Sequence, residues 1–353
     1  NSTLTGELFR LSTLASVFHI FVSTSNGKAT EIPMALFSCC SAVPDTTAEE
    51  ETQVTRILAL PSDYEVPKIW EYKDQGGTFG GTNRPFAGAW GEDKALQKGK
   101  HPIQLHSMAT PNGVKVTIFL EELCDVLPSF DYDAFLLPIN GAQFTSGFHA
   151  ANPNSKIPAM LDYSDPAKPV RVFESGSILL YLADKFDKDG KFFPKEYPAR
   201  AECQNWLMWQ MGSAAFIGGG FGHFYHYAPV KIEYAIDRYA METKRLFDVL
   251  DKHLGEGNKQ YICGDQYTIA DMAIYPWIGG FVEGVMYGEA KEFLQVAQYK
   301  NLCAWCQRLA ERPAVKRGRM VNKPWGDKST QLHNRHSRED FNTKTQDKLE
   351  ATK

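Results

Sequence analysis

The sequence predicts a small α/β domain on a mixed sheet over residues 101–190, followed by an all-helical domain over residues 197–325. Three observations predict it. Period-two and period-3.6 apolar patterns alternate across residues 103–186, the strand signals stop after Phe192-Phe193-Pro194, and the segments beyond are long and helix-periodic. A chain of 353 residues, 43% hydrophobic and 23% charged, has the length and composition for two such packed domains.

Taken in order, Ile103 and Leu105 alternate with polar neighbours as a first strand. Val116, Phe119, Leu120 and Leu123 then follow the i, i+3, i+4, i+7 spacing of an amphipathic helix. Thr110 is placed to cap that helix and Pro111 to open it, because a first-turn proline gives up only an N–H that the helix leaves unbonded. Residues 132–137 read as a second strand, residues 157–161 and 170–173 as a third and fourth joined by a Ser164-Asp165-Pro166 turn, and residues 178–186 as a helix. This order implies a parallel βαβ half and a terminal hairpin within one sheet. In the second domain, residues 199–211, 230–254, 268–286 and 301–311 carry helical periodicity, and Pro313 closes the last helix.

The flanks differ in character. Residues 1–65 hold Ser, Thr and acidic clusters without sustained periodicity and are expected to form a disordered extension. Within it, residues 1–33 precede the first methionine, Met34, and are expected to be non-native or upstream sequence. Residues 66–100 mix aromatics with Gly76, Gly77, Gly80, Gly81 and Gly88, the composition of an irregular arm lying on a globular body. Residues 326–353 are charged and are expected to be an extended or disordered C-terminal tail.

Bulk properties exclude several classes. Lys+Arg 38 against Asp+Glu 42, a net charge of -4, offers no basic surface for nucleic acid. The apolar stretch over residues 14–22 is too short to span a bilayer, which takes about 20 residues, so no membrane association is expected. Seven cysteines without regular spacing point to a reducing, cytoplasmic compartment rather than a disulfide framework. Cys303-Ala304-Trp305-Cys306 has redox spacing but falls inside a helix with no preceding strand. His223 with His226, and His333 with His336, lack an acidic or cysteine ligand set, so no metal is expected.

Three short motifs carry chemistry. Thr110-Pro111-Asn112 opens a helix, whose N-terminus favours an anion. In Asn154-Ser155-Lys156-Ile157-Pro158 the proline directly precedes a strand; a cis bond there exposes the backbone of Ile157 to a peptide ligand, and a trans proline is the ordinary alternative. In Phe173-Glu174-Ser175-Gly176-Ser177 a strand gives way to a helix, where Ser175 and the free amides suit a carboxylate and Glu174 suits an ammonium group.

With these motifs in this order, the sequence from about residue 66 to residue 341 resembles the glutathione transferase superfamily, and within it the nu-class, the glutathione-dependent disulfide-bond reductases. The resemblance also rests on Thr82-Asn83-Arg84-Pro85, on the run Gly218-Gly219-Gly220-Phe221-Gly222-His223-Phe224-Tyr225-His226-Tyr227, and on Thr268-Ile269-Ala270-Asp271, which matches the superfamily's helix-capping box. It implies a thioredoxin-like N-terminal domain and an all-α C-terminal domain. It further implies that Thr110 and Asn112 are catalytic, and that Asn83, Gln143, Lys156, Ile157, Pro158, Glu174, Ser175 and Arg238 bind glutathione. Members bind two glutathione molecules per site as co-substrate and work as homodimers on a disulfide or an electrophile. Where relatives carry Leu-Gln-Gly after a Trp, this chain has Gln210-Met211-Gly212. Neither Thr110 nor Asn112 can form a mixed disulfide, so by this resemblance glutathione supplies the sulfur. The alternatives are a transferase that conjugates electrophiles or reduces organic hydroperoxides, and a non-enzymatic glutathione-binding regulator.

Overall fold

The computed structural model describes residues 65–74 and 76–352. The chain divides into two units, Asn1–Trp70 and Glu71–Lys353; of the first, only residues 65–70 are described, and they carry neither helix nor strand. The disorder expected over residues 1–65 therefore lies outside the described residues, Glu65 apart.

In the second unit four strands, β1 (Ile103–Ser107), β2 (Tyr132–Leu136), β3 (Ala159–Asp162) and β4 (Val170–Phe173), form one sheet in the order β2-β1-β3-β4. Helix α1 (Pro111–Val126) joins β1 to a parallel β2, while β3 runs antiparallel to both β1 and β4. This is the βαβ-plus-hairpin arrangement that the apolar periods imply. Helices α2 (Ser146–Ala151) and α3 (Ser175–Phe186) complete it. Side chains alternate across a strand. Met160 accordingly joins the core that holds α1 and α3 residues, while its neighbour Ala159 packs with Phe148 and Ala151 of α2. The register brings His106, Ala159 and Phe173 side by side, so the C-terminal ends of β1 and β4 and the start of β3 share one end of the sheet.

Helix α4 (Ala199–Ala215) runs into a π-helical stretch, Phe216–Tyr227, which explains why the 3.6-residue period fades after Met211. A Cβ on Gly218, Gly220 or Gly222 would stand 2.6, 2.3 or 2.4 Å from the rings of Trp277, Tyr239 and Tyr287, so glycine lets these rings lie on the backbone. Helices α5 (Glu233–Gly255), α6 (Ile269–Glu283), α7 (Ala290–Phe293), α8 (Lys300–Ala310) and α9 (Pro313–Gly318) follow. A reciprocal capping box opens α6: the Thr268 hydroxyl accepts from a first-turn amide and the Asp271 carboxylate from the Thr268 amide. Asp271 also accepts from the Ile262 amide and the Trp305 indole, both at 2.9 Å. One apolar cluster runs from Ile103 to Leu332, so sheet and helices share a core. No helix among the described residues is long and apolar enough to cross a membrane.

Residues 71–100 contain no helix or strand among those described, and they are pinned by aromatic contacts: Trp90 stacks on Phe144 at 3.8 Å and Phe79 meets Tyr227 edge-on at 5.0 Å.

The expectation of a disordered tail over residues 326–353 is overturned. This stretch carries α10 (Asp340–Thr343) and α11 (Gln346–Ala351), and within it Arg335 is fully buried. The Arg335 guanidinium pairs with Asp131 and, at 3.2 Å, with Glu121 of α1, donates to the Tyr132 carbonyl at 2.7 Å, and lies 3.9 Å from the Tyr132 ring centre. Its backbone exchanges hydrogen bonds with Ala134 at the β2 edge, at 2.7 and 2.9 Å. Charged composition misled because Arg335 answers the buried Glu121 and the half-buried Asp131 rather than water. Upstream, the buried Asn322 accepts the Ala109 amide on its carbonyl at 2.9 Å, next to Thr110.

Candidate functional site

The shared sheet end gathers the three motifs. Thr110 follows β1 and holds the N-cap position of α1 with extended backbone (φ -68°, ψ 162°). Its hydroxyl caps no helix amide, which differs from the ordinary capping role its position suggests. Two residues on, the oxygen of the Asn112 side chain accepts the Trp277 indole N–H at 3.0 Å. An indole can only donate, so the acceptor must be oxygen, and the Asn112 NH2 is thereby fixed as a donor elsewhere. Trp277 lies on α6, so the helical domain orients this residue of the sheet domain.

Across the sheet end, Ile157-Pro158 is a cis peptide and leads into β3. Beyond β4, Glu174 sits at the N-cap of α3 with φ 68° and ψ 122°, a conformation that costs a non-glycine residue about 1–3 kcal/mol and recurs where surroundings hold it for function. Glu174 is exposed and Ser175 buried. The two helix starts are tied together by Lys115, one turn into α1. Its ammonium donates to the Gln210 side-chain oxygen of α4 at 2.5 Å and reaches the Ser175 hydroxyl at 3.4 Å. Burial pulls Lys115 down to about 7, and the Glu174 charge pushes back upward. Sequence reasoning passed over Lys115 and Trp277. Lys115 left a signal, because it shares the apolar stripe of Phe119 and Leu123 at i, i+4, i+8. Trp277, one aromatic in an apolar helix, left none.

The remaining sequence candidates are placed as follows. Gln143 is buried and turned into its own loop, accepting the Gly141 amide at 3.0 Å. Lys156 is exposed, and its carbonyl accepts from Asn152 at 2.6 Å. Asn83 is exposed on the arm, its amide on the Phe79 carbonyl. Arg238 lies on α5 and pairs with Glu242 at 3.4 Å. A cavity of about 380 Å³ adjoins on the α2 side of the sheet, lined by His106, Phe135, Leu137 and arm residues; burial lowers the His106 imidazole to about 4.

The disulfide-bond oxidoreductase YghU of Escherichia coli is 55% identical to this chain over 291 residues, 82% of this chain and 98% of the relative. The chain belongs to the glutathione transferase superfamily. The family model for the glutathione S-transferase C-terminal domain matches residues 233–308. Among solved structures, this glutathione transferase is similar to the YghU transferase of Streptococcus pneumoniae complexed with glutathione, at 50% identity and a TM-score of 0.69, covering 72% of this chain and 97% of that one. A family member from Pseudomonas fluorescens with two glutathione bound is 40% identical with a TM-score of 0.55, covering 62% and 92%.

Among the described residues of this transferase, no cysteine stands at the start of α1, where the chain has Thr110, Pro111 and Asn112. Cys303 and Cys306 lie on α8, and burial pushes both thiols up. Cys124 of α1 is likewise raised, to about 12, chiefly by burial. Among the described residues no group of three or more His, Cys, Asp or Glu is arranged to hold a metal ion.

Proposed function

We propose that the protein reduces disulfides with glutathione, the sulfur coming from the bound tripeptide. The observation that carries this reading is the Asn112 side chain, whose oxygen is held by the Trp277 indole so that its NH2 is left to donate, at a helix start that lacks a cysteine. Thr110 and Asn112 hold a glutathione thiolate. Ser175 and the first amides of α3 take the carboxylate of the γ-glutamyl group, Glu174 takes its ammonium, and the Ile157 backbone pairs with the peptide. Asn83, Gln143, Lys156, Pro158 and Arg238 complete the surroundings by resemblance, Gln143 after releasing the Gly141 amide it now holds.

The energetics ask for both polar side chains. A thiol near pKa ~8.5 is only a few per cent thiolate at neutral pH, and lowering it by about two units takes ~2.7 kcal/mol. A helix N-terminus supplies ~0.3–1 kcal/mol at a surface and up to ~2 when partly buried. Hydrogen bonds to a charged acceptor are worth ~1.5–3 kcal/mol each, so the Thr110 hydroxyl and the Asn112 amide close the gap.

The chemistry is two exchanges. One glutathione thiolate attacks the substrate disulfide, forming a mixed disulfide and expelling a substrate thiolate. A second thiolate attacks the glutathione sulfur of the mixed disulfide, giving glutathione disulfide and the other substrate thiolate. Two glutathione molecules lose two electrons, the substrate gains them, and the two protons released from the glutathione thiols return to the two leaving thiolates. The reading extends to a homodimer in a reducing cytoplasm, in keeping with free cysteines at 124, 203, 263, 303 and 306.

Purified protein given glutathione with either 2-hydroxyethyl disulfide or 1-chloro-2,4-dinitrobenzene tests the proposal. Fast disulfide reduction with slow conjugation is expected, and Thr110→Ala with Asn112→Ala abolishes turnover. The reverse ratio favours a conjugating transferase, silence on both favours a glutathione-binding regulator, and full activity in the double variant refutes the assigned roles.

A further inference from the structure

Lys115 is sealed at 1% exposure beneath the two helix starts, in contact with neutral partners. Gln210 meets it from α4 and Ser175 from α3; Glu174, at the head of α3, is the charged group that acts on it, through space rather than by a hydrogen bond. From α6, packed on α1, the nearest link to this turn is the uncharged Trp277 on Asn112. A lysine in such surroundings holds its proton weakly until an anion comes near, because burial penalises the charged form and a neighbouring negative charge restores it.

We propose that Lys115 is the concealed countercharge of the α3 subsite, taking up one proton from solvent when an anionic ligand group docks on Ser175, so that glutathione binding is coupled to proton uptake. This rests on the reading of the α3 start as a carboxylate subsite and deepens it. Lys115 acts through Ser175 and is a positioning residue. In the balance, neutral amine, one proton and the ligand carboxylate become an ammonium facing that carboxylate across Ser175; the ligand's own ammonium goes to Glu174, which acts on Lys115 only through space, so the nearer carboxylate decides the sign.

The size of the effect follows from a free-state value of about 7. At pH 8 only about a tenth of unliganded Lys115 carries a proton, so binding draws in about 0.9 proton; at pH 6 the group is already charged and about 0.1 is drawn in.

Isothermal titration with S-methylglutathione, whose thioether has no thiol proton to confuse the count, reads this directly. The slope of binding enthalpy against buffer ionisation enthalpy, in phosphate and imidazole at pH 6 and pH 8, gives protons taken per ligand. The expected counts are those above. Lys115→Arg, always charged, binds with no uptake at either pH, and Lys115→Met binds more weakly, also without uptake. A lysine with a merely structural role would alter stability in these variants and leave the wild-type count at zero. Uptake below about 0.2 by the wild type at pH 8, or uptake unchanged in Lys115→Arg, overturns the proposal; the wild-type count stands even if a variant fails to fold. Failure of the wild type to bind S-methylglutathione overturns the subsite reading instead, and the coupling with it.

Discussion

Replacing Trp277 by phenylalanine removes the indole N–H together with the outer ring atoms that face Gly218. The lost bond, 3.0 Å from indole nitrogen to the Asn112 oxygen, joins two neutral groups and is worth about 1 kcal/mol net. Its removal lowers the preference for the donor-outward amide by about fivefold, since each 1.4 kcal/mol is tenfold. The ceiling is complete loss of the Asn112 bond to a thiolate, ~1.5–3 kcal/mol, or roughly 10- to 150-fold in rate. Trp277→Phe should therefore reduce kcat/KM for glutathione-dependent reduction of 2-hydroxyethyl disulfide by up to about fivefold, with an unchanged circular dichroism spectrum. A double-mutant cycle with Asn112→Ala decides whether the indole works through the amide. In the Asn112→Ala background, Trp277→Phe should cost almost nothing. If its loss persists there, orientation of Asn112 is not what Trp277 provides.

Two further outcomes concern stability. Arg335→Ala strands Glu121 and Asp131 and should lower the unfolding free energy by ~3–5 kcal/mol in urea titrations; a loss under about 1 would mean that Arg317, 2.7 Å from Glu121, already suffices. Burial, against several hydrogen bonds that lower it, lifts the Asp271 carboxyl to about 6 from an ordinary 3.8. The folded state then holds this proton more tightly than the unfolded one, so the contribution is present in full below about 4 and lost as pH rises through about 6. Wild-type stability measured relative to Asp271→Asn should fall between pH 4 and pH 6 and level off above, and a rise over that window would contradict the sign.

The sheet was readable because residue type keeps its period even where burial does not: β1 is buried along its whole length, yet Ile103 and Leu105 alternate with polar neighbours, and α1 keeps its Val116, Phe119, Leu120, Leu123 spacing although every residue from Gly113 to Cys124 is buried. The motif order was readable for a related reason: Thr110-Pro111 and Glu174-Ser175 stand where strands hand over to helices, and handovers favour few residue types. Contacts between distant residues left fainter marks. Trp277 and Asn112 are 165 residues apart, and nothing local to either records the bond. Lys115 was visible as a charge in an apolar stripe, yet its neutral partners come from α3 and α4. The π-helical stretch erased the very period by which a helix is read. Residues 326–353 look like a solvated tail because composition counts charges and cannot tell which one faces inward.

That inward charge bears on how the protein is made. Glu121 and Arg335 are separated by 214 positions. At synthesis speeds of ~5–20 residues per second, Glu121 leaves the ribosome roughly 10–40 s before Arg335, which pairs with it and with Asp131. The sheet domain is thus first to be translated and last to be completed. Until residue 335 emerges, Asp131 lacks its guanidinium partner and Ala134 of β2 lacks the two backbone hydrogen bonds that Arg335 supplies. Residues 101–190 expressed alone would lack these contacts altogether.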